Sequence, residues 1–183
     1  CRHEAGRRAG HRAGMMHIRP ATPADAQAIF ALHCVTFPDD SEARLVEALV
    51  AEGDALVSLV AELGGEIVGH VMFSRMAVTG DGRDMKAAGL APVSTNPAHQ
   101  ERGIAAALIE QGLDDLRGHG MEISFVLGNP EYYARFGYSA EDAARFVSAY
   151  ACPAFMVQML DAAHPLPVSG TADYAPAFAR LEV

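Results

Sequence analysis

Val93-Ser94-Thr95-Asn96-Pro97-Ala98-His99-Gln100-Glu101-Arg102-Gly103-Ile104-Ala105-Ala106-Ala107-Leu108 runs from a short apolar stretch through a turn into a long amphipathic segment. From Ile104 onward the apolar residues fall at Ile104, Leu108, Ile109, Leu113 and Leu116, with Glu110, Gln111, Asp114, Asp115 and Arg117 on the opposite side. That spacing is helical, and Gly118 or Gly120 is the expected stop. At the start of such a helix several backbone N–H groups lack intrahelical partners and the dipole is positive. A turn of small residues there wraps an anionic group such as a pyrophosphate, and Gly103 and Ala105 leave room for it.

Outward from this stretch, Ala88 to Thr95 reads as the strand that feeds the loop, irregular near Pro92 because proline has no N–H for a sheet ladder. Beyond the helix, Ile123 to Leu127 is a continuous apolar run, the pattern of a buried strand parallel to the first. Upstream, Leu56 to Leu63 and Ile67 to Val78 form a hairpin about Gly64-Gly65, and Gly80-Asp81-Gly82 makes a second turn. Before them come a short strand at His17 to Pro20 and two helices. The first follows Thr22-Pro23-Ala24-Asp25, with Ala26, Ile29, Phe30 and His33 inward; the second follows Asp39-Asp40-Ser41, with Leu45, Val46, Leu49 and Val50 inward. Downstream, Asn129-Pro130 opens a short helix that Gly137 stops, Ala154 to Leu160 is a strand, and Thr171 to Phe178 is a last strand or hairpin partner.

The chain has 183 residues, half of them hydrophobic, which suits one domain with one core. Residues 1–14 are rich in Arg, Gly, Ala and His without apolar periodicity and read as a disordered extension, leaving residues 15–183 as the single folded domain. No apolar run approaches the roughly 18 residues of a membrane span, and the basic N-terminus lacks the apolar core of a signal peptide. The expectation is a cytoplasmic protein with no membrane partner. Cys1, Cys34 and Cys152 form no Cys-x-x-Cys pair, and no His-Glu-x-x-His spacing occurs, so neither a disulfide framework nor a metal is expected. The net charge is −9, and the arginine-rich first 14 residues carry +3, so the remainder carries −12. Such a surface repels nucleic acid and favours a cationic amine, although acidity serves solubility as well.

Neither the Gly-x-Gly-x-x-Gly of a Rossmann unit nor the Gly-Lys-Ser/Thr of a P-loop is present. Gln100, Gly103 and Ala105 instead fill a Gln/Arg-x-x-Gly-x-Gly/Ala pattern, and this loop resembles the acyl-CoA signature of the GNAT superfamily of N-acyltransferases. Tyr132-Tyr133-Ala134-Arg135-Phe136-Gly137-Tyr138 resembles that family's second hallmark. The order of elements agrees with the family from His17 to about Leu160.

The resemblance implies an α/β (α+β) fold: a mixed sheet of about six or seven strands with flanking helices, splayed between the fourth and fifth strands. It also implies acetyl-CoA as co-substrate. Val93, Ser94 and Thr95 would meet the pantetheine arm, and backbone groups of Glu101, Arg102, Gly103, Ile104, Ala105 and Ala106 the pyrophosphate, with Gln100 as the signature residue and Asn129 near the arm. Tyr133 aligns with the general acid that protonates the departing thiolate, a role its ordinary pKa of about 10 permits. The strand Gly89 to Val93 carries no carboxylate where many relatives hold one. The base therefore stays open among His70, Glu122 and a water chain; His70 also reads as a half-buried strand histidine, and His33 as a core residue or a lining of the acceptor pocket. The implied function is acetyl transfer to a primary amine of a small molecule or protein. The alternative is a catalytically weak CoA-binding sensor or interaction module. The acceptor's identity and assembly as a homodimer stay open.

Overall fold

The computed structural model describes residues 14–181; the N-terminal extension expected from the sequence lies, apart from Gly14, outside them. In chain order the elements begin β1 (His17–Pro20), α1 (Ala26–Thr36), α2 (Ser41–Ala51), β2 (Ala55–Leu63), β3 (Glu66–Gly80), β4 (Arg83–Thr95), α3 (Ile104–Gly118) and β5 (Ile123–Leu127). They continue with α4 (Pro130–Ala134), α5 (Ala140–Ala143), β6 (Phe146–Val147), β7 (Phe155–Met159) and β8 (Gly170–Asp173). One sheet joins all eight strands, with the path β1-β2-β3-β4-β5-β7; β8 pairs with the far end of β3, and β6 with β8. The β4–β5 pairing is parallel, as a strand-helix-strand crossover requires.

Period-two side-chain alternation explains how this sheet holds helices on both faces. Leu59, Val71 and Phe73 point to α3 and meet Leu108, Ile109 and Leu116, whereas Val60 and Met72 point to α1 and α2 and meet Ile29, Val46 and Leu49. Fully burying one such side chain is worth about 1.5–3 kcal/mol. The α3 contact is close because Gly112 lacks a side chain; a Cβ there would overlap the Phe73 ring. Another cluster, around Phe125, Phe146 and Phe155, closes the sheet's C-terminal half.

The helix faces differ slightly from the expected phase. In α1 the buried residues are Ile29, Leu32 and His33, and Ala26 is exposed. Pro23–Asp25 winds as a 3-10 turn with about three residues per turn, so the α-helical face starts later than a continuous helix would place it. Asp25 fixes that entry: its carboxylate accepts from Arg19 at 2.7 and 2.9 Å and from the Thr22 N–H at 2.8 Å. The Arg19 guanidinium, with Thr22, holds the Asp25 carboxyl well below the usual carboxylate range. Val50, expected inward, is exposed. The tail forms β8 only as far as Asp173 and then winds into a 3-10 helix, Pro176–Leu181, against α2. Among the described residues no helix is long and apolar enough to cross a membrane.

Candidate functional site

Pairing between β4 and β5 runs from Ala87 opposite Ile123 to Leu90 opposite Val126 and then stops, although β4 continues to Thr95. On its other edge β4 stays joined to β3, with Val93, Ser94 and Thr95 opposite Val71, His70 and Gly69. The separation begins at Ala91-Pro92, two residues set against Met72 alone. Such a bulge bends and twists a strand. Residues 91–95 thus present one unpaired backbone edge to a gap.

The end of that gap is built from the signature loop. Asn96 caps the turn Pro97–His99 by accepting from the Ala98 N–H at 3.0 Å, and the Gln100 side chain donates to the Thr95 carbonyl at 3.4 Å. Glu101 and Gly103 follow with positive φ of 64° and 74°, and α3 begins. No side chain caps α3, and a Cβ at Gly103 would meet nothing within 4 Å, so the helix N-terminus faces open space. A groove of about 550 Å³ lies there. Val93, Ser94, Thr95, Gln100, Glu101, Gly103, Ile104, Ala105 and Ala106 all line it. Arg102 does not, and neither does Asn129, whose side chain accepts from the Glu131 N–H at 3.0 Å and caps α4. The hydroxyls of Ser94 and Thr95 are buried with no hydrogen-bond partner among the described residues.

A second cavity of about 410 Å³ adjoins the first, and Val93 lines both. Tyr133 faces the second cavity and Tyr132 the first, as adjacent helical residues about 100° apart must diverge. Room for the Tyr133 ring comes from Gly128, where a Cβ would overlap it. The Tyr133 hydroxyl makes no hydrogen bond among the described residues, and burial, with Tyr132 adding to it, pushes its pKa up to about 12. It therefore holds its proton at neutral pH. Sequence reasoning gave no binding role to Thr36, Tyr132 or Arg135, which also line the groove. The Arg135 guanidinium sits 4.6 Å from the centre of the Tyr132 ring, a cation–π distance. Its charge within the second hallmark was the available signal.

The open question of the base is narrowed by where the candidates sit. His70 is fully buried, with Nδ1 2.9 Å from His33 Nε2 and Nε2 2.9 Å from the Ser58 hydroxyl, so both ring nitrogens are engaged. Burial, reinforced by His33, pushes His70 down to about 3, and burial takes His33 to about 4. Both imidazoles are neutral core groups at physiological pH. Glu122 lies at the other end of the β4–β5 pairing, accepting from the Lys86 N–H at 2.7 Å and from Arg83 at 3.0 Å. Burial pushes its carboxyl up, but the Lys86 and Arg83 bonds outweigh that and hold it below the ordinary range. It is an ion-pair anchor remote from the gap.

Comparison with known proteins agrees with this geometry. Residues 17–141 match the model of the acetyltransferase (GNAT) domain. The chain is 37% identical over 124 residues to the uncharacterised N-acetyltransferase YhbS of Escherichia coli K12, covering 67% of this chain and 73% of that protein. It is 34% identical over 116 residues to YjhQ of the same organism, also an uncharacterised N-acetyltransferase, covering 62% and 64%. Among solved structures, E. coli YhbS in complex with CoA superposes with a TM-score of 0.83 at 31% identity, over 94% of this chain and 97% of that one. A GNAT acetyltransferase from Brucella melitensis in complex with acetyl-CoA gives 0.74 at 34% identity, over 90% and 99%. With the domain model matched over residues 17–141, and with relatives and solved structures of the family at more than 30% identity, the chain belongs to the GNAT acetyltransferases.

Proposed function

We propose that residues 15–183 act as one domain that binds acetyl-CoA in the β4–β5 gap and transfers the acetyl group to a primary amine in the adjoining cavity. The observation that carries this reading is the junction at Val93, where the groove ending on the open α3 N-terminus meets the cavity holding the Tyr133 hydroxyl. The residues present suit the cofactor. The unpaired edge of residues 91–95 offers backbone partners to pantetheine amides, and the first-turn N–H groups at Gly103 offer a cradle to the pyrophosphate. Arg135 adds a cation at the same groove. The two similar structures that hold CoA and acetyl-CoA support the assignment.

In the reaction, the acceptor ammonium first gives one proton to solvent. The neutral nitrogen attacks the thioester carbonyl, a C–N bond forms and the C–S bond breaks, with the electron pair leaving on sulfur. Tyr133 donates its proton to that thiolate and regains the proton that the nitrogen sheds as it becomes an amide. The products are an N-acetyl compound and free CoA. A free hydroxyl in the second cavity favours this enzyme reading over a sensor that binds CoA without turnover, since a sensor has no use for it.

Thiol release tests the proposal. Free CoA should appear when acetyl-CoA is mixed with the chain and an amine panel, and acetyl-CoA should raise the melting temperature. At a hundredfold excess over its dissociation constant the stabilisation is about 2.7 kcal/mol. Equal stabilisation by ATP would overturn the cofactor assignment, and tight acetyl-CoA binding with no thiol release would favour the sensor.

A further inference from the structure

The second cavity is chemically lopsided. Its walls are Phe37, Leu45, Leu90, Tyr150, Tyr174 and Phe178, with Val93 and Tyr133 at the junction to the groove. Among the described residues, the single charged side chain lining it is Glu42, in the first turn of α2. Glu42 is half-buried and makes no ion pair or hydrogen bond among the described residues. Three carboxylates on or beside α2 do have cationic partners: Asp40 pairs with Arg44, Glu52 with Arg180 and Asp54 with Arg75. A carboxylate set against an apolar chamber without a counter-charge attracts a cation more strongly than it would in open water. A cavity of about 410 Å³ falls within the usual range of small-molecule sites.

We infer that the acceptor is a small primary amine with one positive charge and an aromatic or branched aliphatic body, its ammonium drawn in by Glu42 and its body held by the aromatic walls. This deepens the acetyl-transfer reading and rests on it. One lone acid selects for one cation. A polyamine would press its second ammonium against Leu45, Leu90 or Phe178 with no counter-charge, and a desolvated unpaired charge is strongly disfavoured. An amino acid would bring its own carboxylate beside Glu42 and be repelled. A lysyl side chain on a peptide would fill the walls only with its slim methylene stem. An aryl-alkyl amine satisfies both parts of the chamber.

Two measurements test this. In the first, thiol release is followed with 2-phenylethylamine, spermidine and a lysine-containing peptide. The expected kcat/KM for 2-phenylethylamine is at least tenfold above the other two, and a preference for spermidine or the peptide overturns the inference while leaving acetyl transfer intact. If acetyl-CoA fails to bind at all, the acetyl-transfer reading falls first. The second measurement needs no turnover. Calorimetry on the chain saturated with CoA compares phenylethyl-trimethylammonium with its neutral tert-butyl isostere. Wild type should prefer the cation by tenfold or more, Glu42→Gln should bring the two affinities together, and Glu42→Asp should keep most of the preference. Absence of a cation preference in wild type, or a preference that survives Glu42→Gln with acetyl-CoA affinity unchanged, overturns the assignment.

Discussion

Two loops of this chain share one unusual backbone and put it to opposite uses. At the β3–β4 turn Asp81 and Gly82 have φ of 49° and 79°; before α3, Glu101 and Gly103 have φ of 64° and 74°. Each places a non-glycine residue in the left-handed region, a conformation that costs roughly 1–2 kcal/mol. The first loop closes on itself. The Asp81 N–H donates to the Ser169 carbonyl at 2.9 Å, and its carboxylate accepts from the Val168 and Ser169 N–H groups at 3.1 and 3.2 Å. The second loop leaves the α3 N-terminus uncapped beside the groove. Left-handed backbone is therefore a sign of function only where the groups it orients have no partner inside the protein.

The sharpest way to break this contrast is the same substitution in both loops. Gly103→Glu and Gly82→Glu each put a side chain into open space at a similar φ, so each should lose about 1–2 kcal/mol of stability. Only the first places a negative charge where the pyrophosphate is proposed to lie. Calorimetry should show acetyl-CoA binding weakened by about 10³-fold in Gly103→Glu, equivalent to the loss of two charge-assisted hydrogen bonds, and unchanged in Gly82→Glu. Equal affinities in the two variants would remove the distinction between the loops.

A smaller effect separates the two neighbouring tyrosines on α4. Tyr133→Phe should lower kcat by about 10²-fold with acetyl-CoA affinity nearly intact, because the ring remains and only the proton is lost. Tyr132→Phe should be much milder. The pH profile adds a check. With its pKa raised to about 12, Tyr133 keeps its proton throughout the neutral and mildly alkaline range. Hence kcat/KM should rise with pH as the acceptor amine loses its proton, with no falling limb below about pH 11. A limb near pH 8 that vanishes in Tyr133→Phe would contradict the burial of this hydroxyl.

Regular elements were legible in the sequence because they answer to local rules. The α3 stripe, the Gly64-Gly65 hairpin, the disruption at Pro92 and the parallel β5 all follow from periodicity and from what proline and glycine permit. The last strand, expected from Thr171, is β8, and the sheet exceeds the expected six or seven strands by β6. The two residues of β6 carry too little period-two pattern to be seen without the β8 edge they pair with. The site was legible where backbone chemistry defines it, as in the loop from Gln100 to Ala106. It was illegible where distant segments converge. Nothing near Glu42 announces that α2 sets it in the wall of the cavity that Tyr133 also lines, and nothing near His70 shows that His33, 37 residues away, and Ser58 on the neighbouring strand engage both of its nitrogens.

The central claim is that the open edge of β4 and the start of α3 form the acetyl-CoA site, and amide hydrogen exchange with and without acetyl-CoA reads those groups directly. Residues 93–95 and 103–106 should gain protection when acetyl-CoA is added, while the turn at residues 80–83 and the paired stretch 87–90 of the same strand should stay unchanged. Protection spread evenly over β4, or confined to segments outside residues 93–106, would contradict it.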